Sequence, residues 1–139
     1  KFLEQCSHSE WGAWDVFPAE DWTLGNHVTE FSDCFYKEGK GDADLLVANI
    51  AFAKEMSARG LTGADLGEVQ LWPRAGAPAG LENAISFKWI RGYPTLSAYA
   101  DFTNMSWNEG LGSAWNALYG DIVACDSSRV YLSQVMNRP

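Results

Sequence analysis

Three groups of side chains in this sequence have the types to do chemistry. The first is aromatic: Trp72, Trp89, Tyr99, Trp107 and Trp115, with Asn104 among them and Arg91 close by. Rings with a few amides can wall a pocket for a flat organic ligand or a sugar ring, and the polar groups then fix its orientation. The same rings at helix and strand spacings also serve as plain core. Arg91 ends a strand-like run just before Gly92, where it can meet a ligand carboxylate at a sheet rim or a carboxylate of its own chain. The second group is Glu30, Ser32, Gln70, Lys88 and Arg129, which share the polar side of alternating segments. Covered by a second sheet, a carboxylate there beside Lys or Arg would titrate away from its usual range and could act as acid or base, whereas in water these are ordinary surface groups. The third group is His27, three residues before Glu30, readable as a general base, as half of a metal site or as a plain histidine where a strand begins, with His8 and Glu10 a weaker version.

The cysteines are Cys6, Cys34 and Cys125, with no C-x-x-C and no His pair, so no metal site and no cofactor are expected. One disulfide with one cysteine left over places the protein in the periplasm or outside the cell, against three reduced thiols in the cytosol. The 139 residues, 47% hydrophobic, suffice for one domain with one core. Seven Trp, seven Phe and five Tyr argue for a packed core or an aromatic cavity and against disorder. A formal charge of −8, with ten scattered Lys and Arg, argues against nucleic acid and anionic membrane surfaces as partners. No apolar run reaches the roughly 20 residues of a bilayer span.

What must position these groups is a set of periodic segments. Residues 84–91 are the clearest strand, with Ile85, Phe87 and Trp89 alternating against Ser86 and Lys88. Residues 28–37 set Phe31 and Phe35 against Glu30, Ser32 and Cys34, residues 68–72 set Val69 and Leu71 against Gln70 and Trp72 before Pro73, and residues 129–136 form a fourth strand around Val130 and Leu132. Asp42 is placed to cap a helix over 43–59 closed by Gly60, with Leu45, Asn49, Phe52 and Met56 on one stripe. Thr95 can cap a second helix carrying Leu96, Tyr99, Phe102 and Met105, residues 108–112 interrupt it, and Ser113 starts a further turn or two that end at Gly120. Residues 73–83, rich in Pro, Gly and Ala, read as a hairpin loop. Residues 1–27 carry Trp11, Trp14, Phe17 and Trp22 without a sustained period and read as an irregular arm packed on the body or on a second subunit, with at most a short strand near 13–17.

The order strand, helix, strand, strand, helix, strand is the ferredoxin-like βαββαβ pattern: an α+β domain over 28–139, with a four-stranded antiparallel sheet and two helices on one face, behind a Trp-rich arm at 1–27. Right-handed crossovers put strand three beside strand one and strand four on the other edge of strand one. The late part of strand one then meets the beginning of strand four. Cys34 and Cys125 occupy those places and are the expected bridge, leaving Cys6 free, buried in the arm or paired between chains.

In element order, and in the texture of Phe87-Lys88-Trp89 and Tyr93-Pro94, residues 28–136 resemble the dimeric α/β-barrel superfamily of ferredoxin-like domains. That group includes small monooxygenases of antibiotic biosynthesis, haem-degrading oxygenases and stress-responsive proteins. The resemblance implies paired open sheet faces and a ligand enclosed between sheet and helices. It does not extend to haem, because His8 and His27 lie in or beside the arm and neither stands on an expected helix. Two functions are therefore expected as alternatives. One is a secreted or periplasmic ligand-binding or interaction protein, acting as a homodimer or assembly subunit through its open sheet face. The other is a cofactor-independent enzyme of the monooxygenase or isomerase sort that acts on a small organic substrate.

Overall fold

The computed structural model of the chain describes residues 10–20, 26–75 and 86–134. Cys6, His8, Trp22 and residues 76–85 of the expected loop and strand lie outside them. In chain order the elements are β1 (Glu10–Phe17), β2 (Asn26–Tyr36), α1 (Asp42–Ala58), β3 (Gly67–Ala75), β4 (Phe87–Tyr93), α2 (Leu96–Asn108), α3 (Leu111–Tyr119), β5 (Val123–Cys125) and β6 (Arg129–Gln134). The strands form one antiparallel sheet in the order β1-β3-β4-β2-β5, with β6 also on β2 beside its earlier half. The class is α+β, but in place of the expected four strands and two helices the described residues form six strands and three helices.

The arm accounts for much of the difference. Residues 10–17 are not irregular; they form an edge strand on β3, from Glu10 opposite Ala75 to Phe17 opposite Glu68, with register shifts at both ends. Those shifts break the two-residue period, which is why no alternation shows in the sequence. Pro73 does not stop β3 either. It lies beyond Leu71, where pairing with β4 ends, and faces Trp11 on β1, so the ladder donor it lacks is not needed on the β4 side.

The helix ends follow from local chemistry. The N-cap of α1 is Gly41 rather than Asp42, and the Asp44 carboxylate reaches back to accept the Gly41 N–H at 3.1 Å. Thr95 caps α2 as expected, its hydroxyl accepting the Ala98 N–H at 3.1 Å. The interruption at 108–112 is a sharp elbow. Gly110 takes φ 86°, which a side chain would resist, and α3 starts at Leu111 rather than Ser113. Gly112 packs so closely that a Cβ there would sit 2.7 Å from the Ser106 carbonyl oxygen.

All three helices contact one face of the sheet, the face that carries Phe87, Trp89, Arg91 and Tyr93 of β4. Phe52 of α1, Leu111 and Tyr119 of α3, and Phe87, Trp89 and Tyr93 are buried in one cluster, each large side chain contributing roughly 1.5–3 kcal/mol by removal from water. Register then decides which side of β2 and β3 faces the helices: Val28, Glu30, Ser32 and Cys34 of β2, and Glu68 and Gln70 of β3. The expectation that Glu30, Ser32 and Gln70 lie on the open face is therefore corrected, and only Lys88 and Arg129 of that group do. The open face instead presents Phe31, Phe35 and Tyr131 around an ion-paired Asp33, with Lys88 at 2.5 Å and Arg129 at 3.0 Å. The disulfide joins Cys34 to Cys125, directly opposite in the β2–β5 register.

Candidate functional site

Cross-strand register lines up three ionisable residues under the helices. Arg91 stands opposite Glu30 on one side and opposite Glu68 on the other. Its Nε donates to Glu68 Oε2 at 2.6 Å, Nη2 lies 2.6 Å from the same oxygen, and Nη1 donates to Glu30 Oε2 at 3.5 Å. The guanidinium also lies over the Phe102 ring of α2, 4.7 Å from its centroid. The Tyr93 hydroxyl donates to Glu30 Oε2 at 3.2 Å. The Glu68 side chain is fully buried, its Oε1 has no hydrogen-bond partner among the described residues, and Arg91 is its ion-pair partner.

The electrostatics follow from this crowding. Burial works against the charged form of Arg91, but Glu68, the electron-rich Tyr93 oxygen and Glu30 outweigh it and hold the guanidinium protonated far above its ordinary range. Burial pushes the Tyr93 phenol up, Arg91 opposes and Glu30 adds to the rise, so the group stays a hydroxyl donor. Tyr119 is raised in the same way, by burial first and then by Glu68. A neutral network continues the row: Asn49 and Gln70 exchange two amide hydrogen bonds at 2.8 and 3.1 Å, and the Tyr119 hydroxyl donates to Asn49 Oδ1 at 3.0 Å.

Above this floor lies a cleft of about 480 Å³ between the sheet and the α2–α3 elbow. Its apolar wall is Phe52, Trp89, Phe102, Leu111 and Trp115, and its polar wall includes Glu30, Ser32, Ser106, Asn116 and Ser128. It runs into a second hollow that shares Glu30, Arg91 and Phe102 and is closed by Tyr93, Tyr99 and Trp107. Trp89 packs against Trp115 and Tyr119 with ring centroids 5.7 and 4.8 Å away, and its buried Nε1–H meets no acceptor among the described residues. Such an orphan donor costs about 1–3 kcal/mol, so its place on a cleft wall bears on what the cleft is for. Cys125 lines the same cleft, and the disulfide ties that wall to β2.

Of the residues singled out by type, Trp89, Arg91 and Trp115 line the cleft, while Tyr99 and Trp107 line the adjoining hollow. Trp72 does not join them. Its indole donates to the Tyr36 hydroxyl at 3.2 Å and its ring stacks on Phe87 at 5.8 Å, beside a separate small hollow with Trp14 and Leu45. Asn104 points away as well, donating to Glu109 Oε1 at 2.7 Å and accepting from Asn108 at 2.8 Å. Arg91 is not at a rim, because β4 runs on to Tyr93 and carboxylates of its own chain hold it. His27 is buried opposite Ser133 and lines neither hollow.

Residue type alone missed Glu68, and it picked out Glu30 but on the open face rather than under the helices. The signal that finds them is the acid-base-acid row, which appears once β3, β4 and β2 are laid side by side. Among the described residues no group of three or more His, Cys, Asp or Glu could hold a metal ion, and no helix is long and apolar enough to cross a membrane. No family model matches the chain, and no curated protein and no solved structure matches it.

Proposed function

We propose that this chain is a secreted or periplasmic protein that binds a small organic ligand in the cleft between the sheet and the α2–α3 elbow. The observation that carries the reading is that one cleft sets the packed rings of Trp89 and Trp115 on its apolar wall against Glu30 on its polar wall, a carboxylate whose Oε1 accepts no hydrogen bond from the described residues. Aromatic walls with a few fixed polar groups are the usual make-up of a small-molecule site. The disulfide supports an oxidising compartment. The test is a fragment screen followed by amide and indole shifts in ¹H–¹⁵N spectra. The reading expects hits that move Trp89, Trp115 and Ser32 together, and hits confined to other surfaces would refute it.

A dimer belongs to the same proposal, in keeping with the resemblance to dimeric α/β-barrel proteins. Phe35 and Tyr131 on the open face and Val130 and Leu132 of β6 are exposed, Leu132 at 78%. A strand with large apolar groups on both sides is normally covered on both sides. Sedimentation should give twice the 15.4 kDa chain mass, and a monomer at all concentrations would remove the dimer.

A second reading, a cofactor-independent enzyme, draws on the same Glu30 oxygen, which has room to take a proton from a bound substrate. Turnover of a bound fragment that is lost in Glu30→Gln while binding persists would favour the enzyme over the binding protein.

A further inference from the structure

We propose that the cleft selects an aromatic ligand bearing a cationic ammonium group, which docks on Glu30; this deepens the ligand-binding reading above and rests on it. The floor sets two carboxylates, Glu30 and Glu68, against the single guanidinium of Arg91. The charged residues that line the cleft balance, Glu30 and Asp126 against Arg91 and Lys37, but Glu68 beneath them takes two of the Arg91 nitrogens at 2.6 Å and leaves Glu30 only the longer contact at 3.5 Å. Neither cation is available to a ligand anion. Arg91 has Nε and Nη2 on Glu68, Nη1 on Glu30 and its face on Phe102, and the Lys37 ammonium donates to the Gly120 carbonyl. The Asp126 carboxylate is engaged too, by Arg129 at 3.2 Å and by the Asp33 N–H at 2.8 Å.

Glu30 differs. Both of its hydrogen bonds fall on Oε2, and Oε1 accepts nothing from the described residues. A half-buried carboxylate in excess over its counter-ions is costly, and a charged donor brought by a ligand would offset that cost. The apolar wall suits the same guest, since an indole such as Trp115 attracts a cation electrostatically. A net charge of −8 draws cations toward the molecule and turns anions away. A ligand carboxylate would meet Glu30 with Arg91 already engaged on two sides.

Three probes with one aromatic body decide this: 2-naphthylmethylammonium, 2-naphthylmethanol and 2-naphthoate, titrated at pH 7 into the intact chain and followed by the indole N–H shifts of Trp89 and Trp115. The ammonium should bind about tenfold or more tighter than the carboxylate and severalfold tighter than the alcohol, and its affinity should fall as salt rises. In Glu30→Gln the preference should shrink to roughly twofold. A carboxylate that binds as tightly as the ammonium, or a preference that survives Glu30→Gln, overturns the cation proposal and leaves the binding site standing. If none of the three moves the cleft signals, the binding reading itself falls and the proposal with it. Should Glu30→Gln fail to fold, the order of the three probes on the unaltered chain is sufficient to decide.

Discussion

Replacing Arg91 by Met tests the buried row directly. The Glu68 side chain is fully buried and Arg91 is its ion-pair partner at 2.6 Å, so Arg91→Met strands a carboxylate in the core. Removing one member of a buried pair costs about 3–5 kcal/mol, mostly through the charge left behind. The Phe102 contact adds to the loss by roughly 0.5–2 kcal/mol, partly restored by the Met side chain. The reverse change should cost less, because in Glu68→Met the guanidinium keeps Glu30 at 3.5 Å. In the double variant both charges are gone and two similar apolar side chains meet, so stability should return to within about 1–2 kcal/mol of the original. Urea unfolding followed by tryptophan fluorescence measures all three, with thermal midpoints as a check: Arg91→Met should fall by roughly 10–20 °C. A loss below about 1 kcal/mol for Arg91→Met, or a larger loss for Glu68→Met than for Arg91→Met, would refute the view that Glu68 depends on this one cation.

Further outcomes follow from other parts of the fold. The Cys34–Cys125 bridge spans 91 residues, for which chain entropy gives about 4–5 kcal/mol as an upper value and about 2–4 kcal/mol as the usual one, so Cys34→Ala should lower stability by that usual amount in chemical unfolding. Alkylation of unfolded, unreduced protein should leave both of those cysteines unmodified by mass. Burial raises the Asp33 carboxyl, but hydrogen bonds and charge from Lys88 and Arg129 outweigh it and hold the group below its ordinary 3.8. Because the folded value is the lower one, the stability that Asp33 contributes is whole above 3.8 and is lost as pH falls through the folded value. The gap between the original chain and Asp33→Asn, measured by urea unfolding across acid pH, should therefore be flat near neutrality and close in acid; a gap that widens in acid contradicts the pairing. Gly112→Ala drives a methyl to 2.7 Å from the Ser106 carbonyl oxygen, should cost about 1–3 kcal/mol by overpacking, and should weaken cleft binding by displacing the elbow, with unchanged stability as the contrary result.

The parts of this fold that were readable have local causes. Thr95 marks a helix start by its hydroxyl, and Gly110 and Gly112 mark the elbow. The Cys34–Cys125 bridge was expected at the start of the last strand, and it forms instead on β5, a short strand that precedes it. The parts that were not readable have causes distant in sequence. An alternation of Phe31 and Phe35 with Glu30 and Ser32 reads as aromatic-in and polar-out, and here it is inverted. The inversion holds because the helix face can satisfy polar groups: Glu30 and Glu68 find Arg91, and Gln70 finds Asn49. None of these partners lies within 20 residues of the other, so no local pattern carries the information. β1 was hidden for a different reason, its register shifts, and Trp72 was grouped with the cleft because residue type cannot tell a ring that stacks on Phe87 from one that lines a cavity.

The cleft as a ligand site is tested most directly by a crystal structure of the chain soaked with 2-naphthylmethylammonium. The account predicts the naphthyl ring between the α2–α3 elbow and the sheet, against Trp89 and Trp115, with the ammonium within hydrogen-bond reach of Glu30 Oε1. A probe bound only elsewhere, or a cleft filled by its own side chains at saturating probe, would contradict it.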